Sequence, residues 1–277
     1  MTWSDRLSWA IRPDCVHEAE SIVSRIQTAG AGLHRDNLWA GFTRMVARDL
    51  GLDELPIDLI GNNIAVVSVV GVLVDQVNPW TANYPHLTAA FEFCRKQADI
   101  RAVIVRFKTP GGTCIGLQSC AEALDRLSNE KLTIGQNDGG CYSAGYYLAS
   151  FCGAIHSGAT DHIGNIGTVT SLWDVSEWAK NEGLRRVTLR SGPIKGLGIM
   201  GDPVTDMQTE FLAHLNSAHF EFFRGAVMRG RNLSDEQFAA VSDGRWWLGH
   251  EAVSIGITDR VATMPETIEL VQQHLRM

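Results

Sequence analysis

Two stretches decide the fold: residues 101–112, RAVIVRFKTPGG, and residues 131–152, KLTIGQNDGGCYSAGYYLASFC. Each opens with a β-branched, apolar run of the length of one strand. Each then breaks at a glycine-rich turn and passes into an amphipathic helical run, IGLQSCAEALDRLSN after the first and AGYYLASFC after the second. Both turns, KTPGGT and NDGGCYS, fall at the carboxyl ends of their strands. Open α/β sheets place their ligands at that edge, so the two turns mark a candidate site.

The same alternation extends upstream through IAVVSVV at 64–70 and YPHLTAAFEFCRKQA at 84–98. Repeated strand-helix units of this kind predict an α/β fold with a largely parallel sheet. Downstream, residues 204–229 carry one long helical pattern, and Ser234 opens another with Glu236 and Gln237 in its first turn. The tail at 246–261, WWLGHEAVSIGITDRV, reads as strand, helix, strand. Residues 15–50 hold two helical patterns, each closed by a glycine, with Asp36 placed as an N-cap for the second. The stretch GLDELPIDLIGNN at 51–63 then reads as a linker. The expected organisation is a helical segment and linker over 1–60 and one main domain over 61–277.

A chain of 277 residues, 45% of them hydrophobic, is long enough to bury a full core. The net charge of −7 is dispersed, and no basic stripe interleaves with aromatics, which argues against nucleic acid as a partner. Arg190, Arg224, Arg229 and Arg231 read as a solvated helix face. The six cysteines form no CxxC pair and, apart from loose cases such as His156 and His162, the nine histidines do not pair at ligand spacing with a cysteine or carboxylate, so neither a metal nor any other cofactor is expected. Free cysteines inside apolar helical patterns fit a reducing, cytoplasmic setting. The N-terminus lacks the layout of a secretory signal, and the longest apolar run, 64–74, is about half a membrane span, so no membrane anchor is expected.

Ser143 stands where a strand ends and a helix begins, near the positive helix terminus. A serine there is a candidate nucleophile, or else an N-cap. The glycines of Pro110-Gly111-Gly112 let backbone N–H groups approach a developing oxyanion, although PGG by itself is a common turn. Of the five lysines, Lys195 alone is flanked by apolar and glycine residues with no carboxylate within six positions. Such an ammonium is a candidate for desolvation and hence for a general base, the alternative being an exposed loop lysine.

The segments AVIVRFKTPGG, CYSAGYYLAS, IGNIGT, RSGPIKGLG and DGRWWLGHEAVSIGITDRV, in this order over residues 62 to 262, resemble the ordered motifs of the signal peptide peptidase A family. The resemblance implies a ClpP/crotonase-like spiral of β-β-α units and a serine peptidase acting through an acyl-enzyme. It further implies Ser143 as nucleophile, Lys195 as general base, and Gly111 and Gly112 as the oxyanion hole. Asn165 stands in IGNIGT where the family has a serine that orients the lysine, and an amide oxygen can accept the same bond. Thr109 is a milder departure, and Lys108 is a rival base by proximity alone.

Within that family the chain is most similar to the phage-encoded capsid or head-maturation proteases. That branch implies protein or peptide substrates, a homo-oligomer, and capsid scaffold or portal proteins as partners. Many of its members carry a scaffold-like extension, and since this sequence stops at Met277, soon after the closing motif, any scaffold is expected to be a separate protein. Phe211, Leu212, Leu215, Phe220, Phe222 and Phe223 lie on more than one face of the 204–229 helix, which also favours an oligomer. Three other readings keep the same fold. One is a ClpP-like peptidase in which His156 or His162 serves Ser143 with an aspartate. The others are a crotonase-type acyl-CoA enzyme using the glycine turn without the serine, and an attenuated assembly protein, for which the Asn165 departure is the main support.

Overall fold

The computed structural model describes residues 9–11, 55–61, 63–76 and 81–277, so the two helical patterns at 15–50 lie outside the described residues. Strand β1 (Trp9–Ile11) comes first, then β2 (Ile57–Ile60). Repeating units follow: β3 (Ile64–Val70), β4 (Leu73–Val74), β5 (Ala82–Asn83) and α1 (Tyr84–Lys96), then β6 (Ala102–Thr109), β7 (Gly111–Thr113) and α2 (Leu117–Glu130). The third unit is β8 (Leu132–Tyr142) and α3 (Ala144–Ala149), followed by β9 (Ala154–Ser157) and β10 (His162–Gly164). The remainder is α4 (Ser176–Asn181), α5 (Asp206–Arg231), α6 (Asp235–Val241), β11 (Trp246–Leu248), α7 (Gly249–Ser254), β12 (Arg260–Val261) and α8 (Met264–Arg276).

Strands β3, β6 and β8 run parallel in the order β11-β10-β8-β6-β3-β2, and β9 pairs with β8 and β12. The short strands that follow β3 and β6 leave this sheet for a second one of order β1-β7-β4-β5. Each of the first two units therefore places one strand in the large sheet, a short one in the small sheet, and then a helix, which is the β-β-α spiral. Continuous apolar runs in β3 and β6 are explained by burial on both faces. Ala65, Val67, Val69, Val103, Val105 and Phe107 pack toward the cluster that includes Leu87 and Phe91 of α1 and Leu124 and Leu127 of α2. Ile64, Val66, Ala102, Ile104 and Ile134 face the other way, onto Val271, Ile268 and Leu275 of α8.

Local signals set the helix ends. Asn83 Oδ1 accepts the His86 N–H at 3.0 Å with Pro85 in the first turn of α1, and Thr205 with Gln208 forms a capping box on α5. Ser234 and Gln237 do the same on α6, as their spacing predicts. Among the described residues no helix is long and apolar enough to cross a membrane.

Two sequence readings change. Residues 57–60, read as linker, form β2 and pair antiparallel with β3, extending the sheet edge. Arg231, read as part of a solvated helix face, is buried: its guanidinium donates to both Asp259 oxygens at 2.8 Å and to the Gly256 carbonyl at 3.3 Å. Burial alone would raise the Asp259 carboxyl, but Arg231 and the Ile155 N–H hold it below the usual carboxylate range. The pair ties the end of α5 to the start of β12 through a turn that neither helix periodicity nor strand alternation reveals.

The same helix end approaches α3 backbone to backbone. A Cβ at Gly230 would stand 1.8 Å from the Ser150 carbonyl oxygen, closer than any contact allows. Gly230→Ala is expected to separate α5 from the end of α3, at a cost of about 1–3 kcal/mol or more. Thermal denaturation monitored by circular dichroism would register it as a lowered Tm, and an unchanged Tm would mean the two helices are not in contact in solution.

Candidate active site

The bulge in β8 prepares the site. Phe107 is paired with Asn137 but Lys108 with Gly140, so Asp138 and Gly139 are extra residues on the β8 side. Beyond the bulge, Gly140, Cys141 and Tyr142 run beside His162, Ile163 and Gly164 of β10. The chain then turns sharply through Ser143, whose φ of 50° and ψ of −117° are strained for a residue with a side chain. Its N–H donates to the Gly164 carbonyl at 2.9 Å, and its own carbonyl accepts the Tyr147 N–H at 2.8 Å, starting α3.

Ser143 does not act as a helix cap. Its backbone is outside the extended region that caps adopt, and its side chain makes no capping bond. The hydroxyl is buried and has no hydrogen-bond partner among the described residues. An unpaired buried hydroxyl costs about 1–3 kcal/mol, which marks the turn as one that the fold alone does not favour.

The PGG turn lies against the same strand ends. A Cβ at Gly112 would fall 1.8 Å from the Leu73 carbonyl oxygen, so only glycine lets β7 lie this close to β4. The Gly111 N–H donates to the buried Thr109 hydroxyl at 3.1 Å. The departure from serine to threonine at 109 therefore keeps a hydroxyl acceptor at the turn. Strand β7 is paired on both edges, with β4 on one side and β1 on the other.

Asn165 adjoins Gly164, whose carbonyl holds the Ser143 N–H. It has a left-handed φ of 53°, a conformation that asparagine tolerates better than serine. Its N–H donates to the Arg245 carbonyl at 2.8 Å and its Nδ2 to the Gly244 carbonyl at 2.6 Å, while Oδ1 accepts no hydrogen bond among the described residues. The amide thus braces the IGNIGT turn against the DGRWW segment and leaves its acceptor oxygen unused. Asn165, Thr168, Asn216, Phe220, Asp243 and Gly244 border a cavity of about 450 Å³.

Lys195 is exposed, on a loop before α5, and among the described residues its amine makes no hydrogen bond to the Ser143 hydroxyl and no ion pair with a carboxylate. The apolar neighbours that suggested desolvation do not enclose it within one chain. Lys108 is likewise exposed, at the end of β6. Both histidines of the alternative reading are engaged away from Ser143. His156 Nδ1 meets Thr267 Oγ1 at 2.9 Å inside the sheet-α8 interface, where burial, and secondarily Arg260, holds the imidazole below its usual range. His162 Nδ1 meets the Tyr142 hydroxyl at 2.8 Å. The sequence reading did not single out Gly164 and Gly244 as partners of the Ser143 and Asn165 turns. The closing DGRWWLG motif contains the second of these, but its pairing with IGNIGT is a sheet contact between β10 and β11.

Comparison with known proteins bears on the fold and the family. The fold is that of the crotonase-like proteins: an Acinetobacter baumannii protein assigned to the enoyl-CoA hydratases and isomerases superposes with a TM-score of 0.50 at 12% identity, over 80% of this chain and 81% of that one. Residues 132–277, more than half of the chain, match the model of peptidase family S49, and the chain belongs to that family. It is 24% identical over 180 residues to the chloroplastic serine protease SPPA of Arabidopsis thaliana, covering 65% of this chain and 27% of that one. It is 24% identical over 242 residues to protease 4 of Haemophilus influenzae, covering 84% and 39%. It is also 24% identical over 220 residues to capsid assembly protease C of Escherichia phage lambda, covering 77% and 50%. The chain spans less than two thirds of the length of each of these curated relatives.

Because the Ser143 hydroxyl caps nothing, Ser143→Ala is expected to leave Tm unchanged or raise it, by up to about 1 kcal/mol of added stability. A fall in stability of about 1 kcal/mol would instead identify a helix-capping serine.

Proposed function

We propose that this chain is a serine endopeptidase in which Ser143 attacks the scissile carbonyl and the Lys195 amine serves as general base. The observation that carries the reading is the Ser143 hydroxyl: buried, free of any structural bond, and held at a strained strand-to-helix turn. Membership of peptidase family S49 supports the same chemistry. Attack forms the Oγ–carbonyl bond while the serine proton passes to Lys195, and collapse expels the leaving amine, which takes that proton. Water then hydrolyses the acyl-enzyme by the same base. Gly111 and Gly112 are read as the oxyanion donors, with the Gly111 N–H exchanging its Thr109 bond for the developing charge. The free Asn165 Oδ1 is read as the acceptor that orients the lysine amine.

Since Lys195 is exposed and the buried Ser143 hydroxyl has no partner among the described residues of one chain, the dyad is read as closing in a homo-oligomer. The segment before α5 supports this, for it leaves Trp173 at 83% and Leu189 at 94% exposure. Phe211 and Phe222 of α5 are exposed as well, whereas Leu212 and Phe223 of the same helix are buried. The relative from phage lambda, a capsid assembly protease, supports capsid proteins as the substrate class; scaffold and portal proteins as the particular substrates, and the host cytoplasm as the setting, are part of this reading. The histidine reading has less support, because both imidazoles are committed to other partners.

Cleavage of casein and of the proteins encoded beside this chain, mapped by mass spectrometry, tests the proposal. Ser143→Ala and Lys195→Arg are each expected to lower kcat on the order of 10³-fold or more, because a guanidinium does not give up its proton. In the same assay Asn165→Ala is expected to lower kcat on the order of tenfold with KM unchanged, and Asn165→Ser to retain activity. An active Lys195→Arg protein would refute the base assignment. A wild-type chain that assembles yet cleaves nothing would instead point to an attenuated assembly protein. Closure in the oligomer further requires specific activity to fall on dilution, in step with dissociation measured by light scattering.

A further inference from the structure

The loop that carries Lys195 is exposed, yet it is lashed at its base and near its apex. Between residues 192 and 202 the backbone closes successive turns: Lys195 N–H to Gly192 O at 3.1 Å, Leu197 to Ile194 at 3.1 Å, Ile199 to Gly196 at 3.2 Å and Asp202 to Ile199 at 3.1 Å. Four glycines in this stretch, Gly192, Gly196, Gly198 and Gly201, make its ordering costly in entropy, so turns alone are a weak restraint. The restraint comes from side chains. The Asp202 carboxylate accepts the Thr188 hydroxyl at 2.9 and 2.7 Å on its two oxygens and pairs with the Arg190 guanidinium. The Asp202 side chain is only 10% exposed and that of Arg190 24%, so this pair is better shielded than a usual surface bridge. Near the apex, the buried Gln208 donates through Nε2 to the Pro193 carbonyl at 3.3 Å, while its Oε1 accepts the Thr205 N–H at 3.1 Å. The lysine loop is thereby fastened to the capping box of α5.

We propose that Asp202 is a positioning residue for Lys195. By closing Thr188 and Arg190 across the base of the loop, its carboxylate fixes the direction in which the lysine side chain leaves the surface. The inference rests on the reading of Lys195 as the general base. A base must be held to within about 1 Å of its working position, and a misplacement of that size costs up to about 10²-fold in rate. A loop of four glycines does not hold a lysine to that tolerance without a clamp. Asp202 stands seven positions from Lys195, beyond the carboxylate-free window that sets this lysine apart, so the loop gains a rigid base without a counter-charge beside the amine.

The test uses the full chain and a fluorogenic peptide substrate. Asp202→Asn keeps an acceptor for Thr188 but leaves Arg190 unpaired, and Thr188→Val removes the hydroxyl while keeping the side-chain shape. Both are expected to lower kcat by about 10- to 100-fold with KM within about twofold of wild type. In a Lys195→Ala background, the residual hydrolysis of p-nitrophenyl acetate is expected to be unchanged by Asp202→Asn, because no lysine remains to be positioned. A merely structural carboxylate would lower that residual rate as well, and such a result overturns the inference. Should Asp202→Asn fail to fold, Thr188→Val decides, and wild-type kcat in it also overturns the inference. If Lys195→Ala itself keeps the wild-type rate, the base assignment has failed and the positioning role with it. If Lys195→Ala is inactive while Asp202→Asn and Thr188→Val match wild type, only the positioning role has failed.

Discussion

Burial of both faces of the parallel strands β3, β6 and β8 is the constraint on which the rest of the molecule depends. Helices α1 and α2 cover one face and α8 the other, so the apolar side chains in the middle of these strands are buried, while Ser68 and Arg106 stay partly exposed. Polar chemistry is then confined to the strand ends, where backbone groups fall free of the ladder and turns can be shaped without disturbing the core. The spiral sharpens this. After β3 and after β6 the chain steps out of the large sheet into the small one, and the step after β6 is the Pro110-Gly111-Gly112 turn. The third strand does not step out. It bulges at Asp138 and Gly139, runs on beside β10, and delivers Ser143 to the same edge.

Placing Ser143 there has a cost, and neighbouring elements offset it. A left-handed backbone at a residue with a Cβ costs on the order of 1–3 kcal/mol, and the unpaired hydroxyl adds to that. The turn is held by the Gly164 carbonyl, which is fixed in turn by the register of β10 against β8 and β11. Asn165 follows immediately, itself left-handed, and its amide joins β10 to the turn before β11. Two strained residues supported by the same three strands explain why a departure from serine at 165 is compatible with the site: the backbone there favours asparagine for its own reasons.

The serine and the lysine are positioned by unrelated devices. Ser143 is locked into the central sheet, whereas Lys195 rides on a surface loop fastened to α5 by Asp202 and Gln208. Helix α5 is the element common to both, since its buried end presses on Ser150 just after α3 and pairs Arg231 with Asp259. The 26-residue helix thus meets the end of α3 at one end and the Lys195 loop at the other.

Much of the fold is legible in the sequence because its strands and helices have the periods that burial demands. RAVIVRF and IAVVSVV are continuous apolar runs because both faces are covered, and Ser234 with Gln237 caps a helix by spacing alone. The strand-turn-helix setting of Ser143, the close glycines at 111 and 112, and the ordered motifs that mark the family are all local in the chain. Tertiary structure decided what depends on partners far apart in sequence. It made 57–60 a sheet edge rather than a linker and turned the Arg231 side chain inward onto Asp259 rather than leaving it on a solvated face, since each meets a residue outside its own periodic pattern. It also separated Ser143 from a helix cap, since neither its φ of 50° nor its ψ of −117° is extended, and left Lys195 exposed although its neighbours in sequence are apolar. Apolar composition measures what a residue can pack against; only the path of the chain decides whether anything is there.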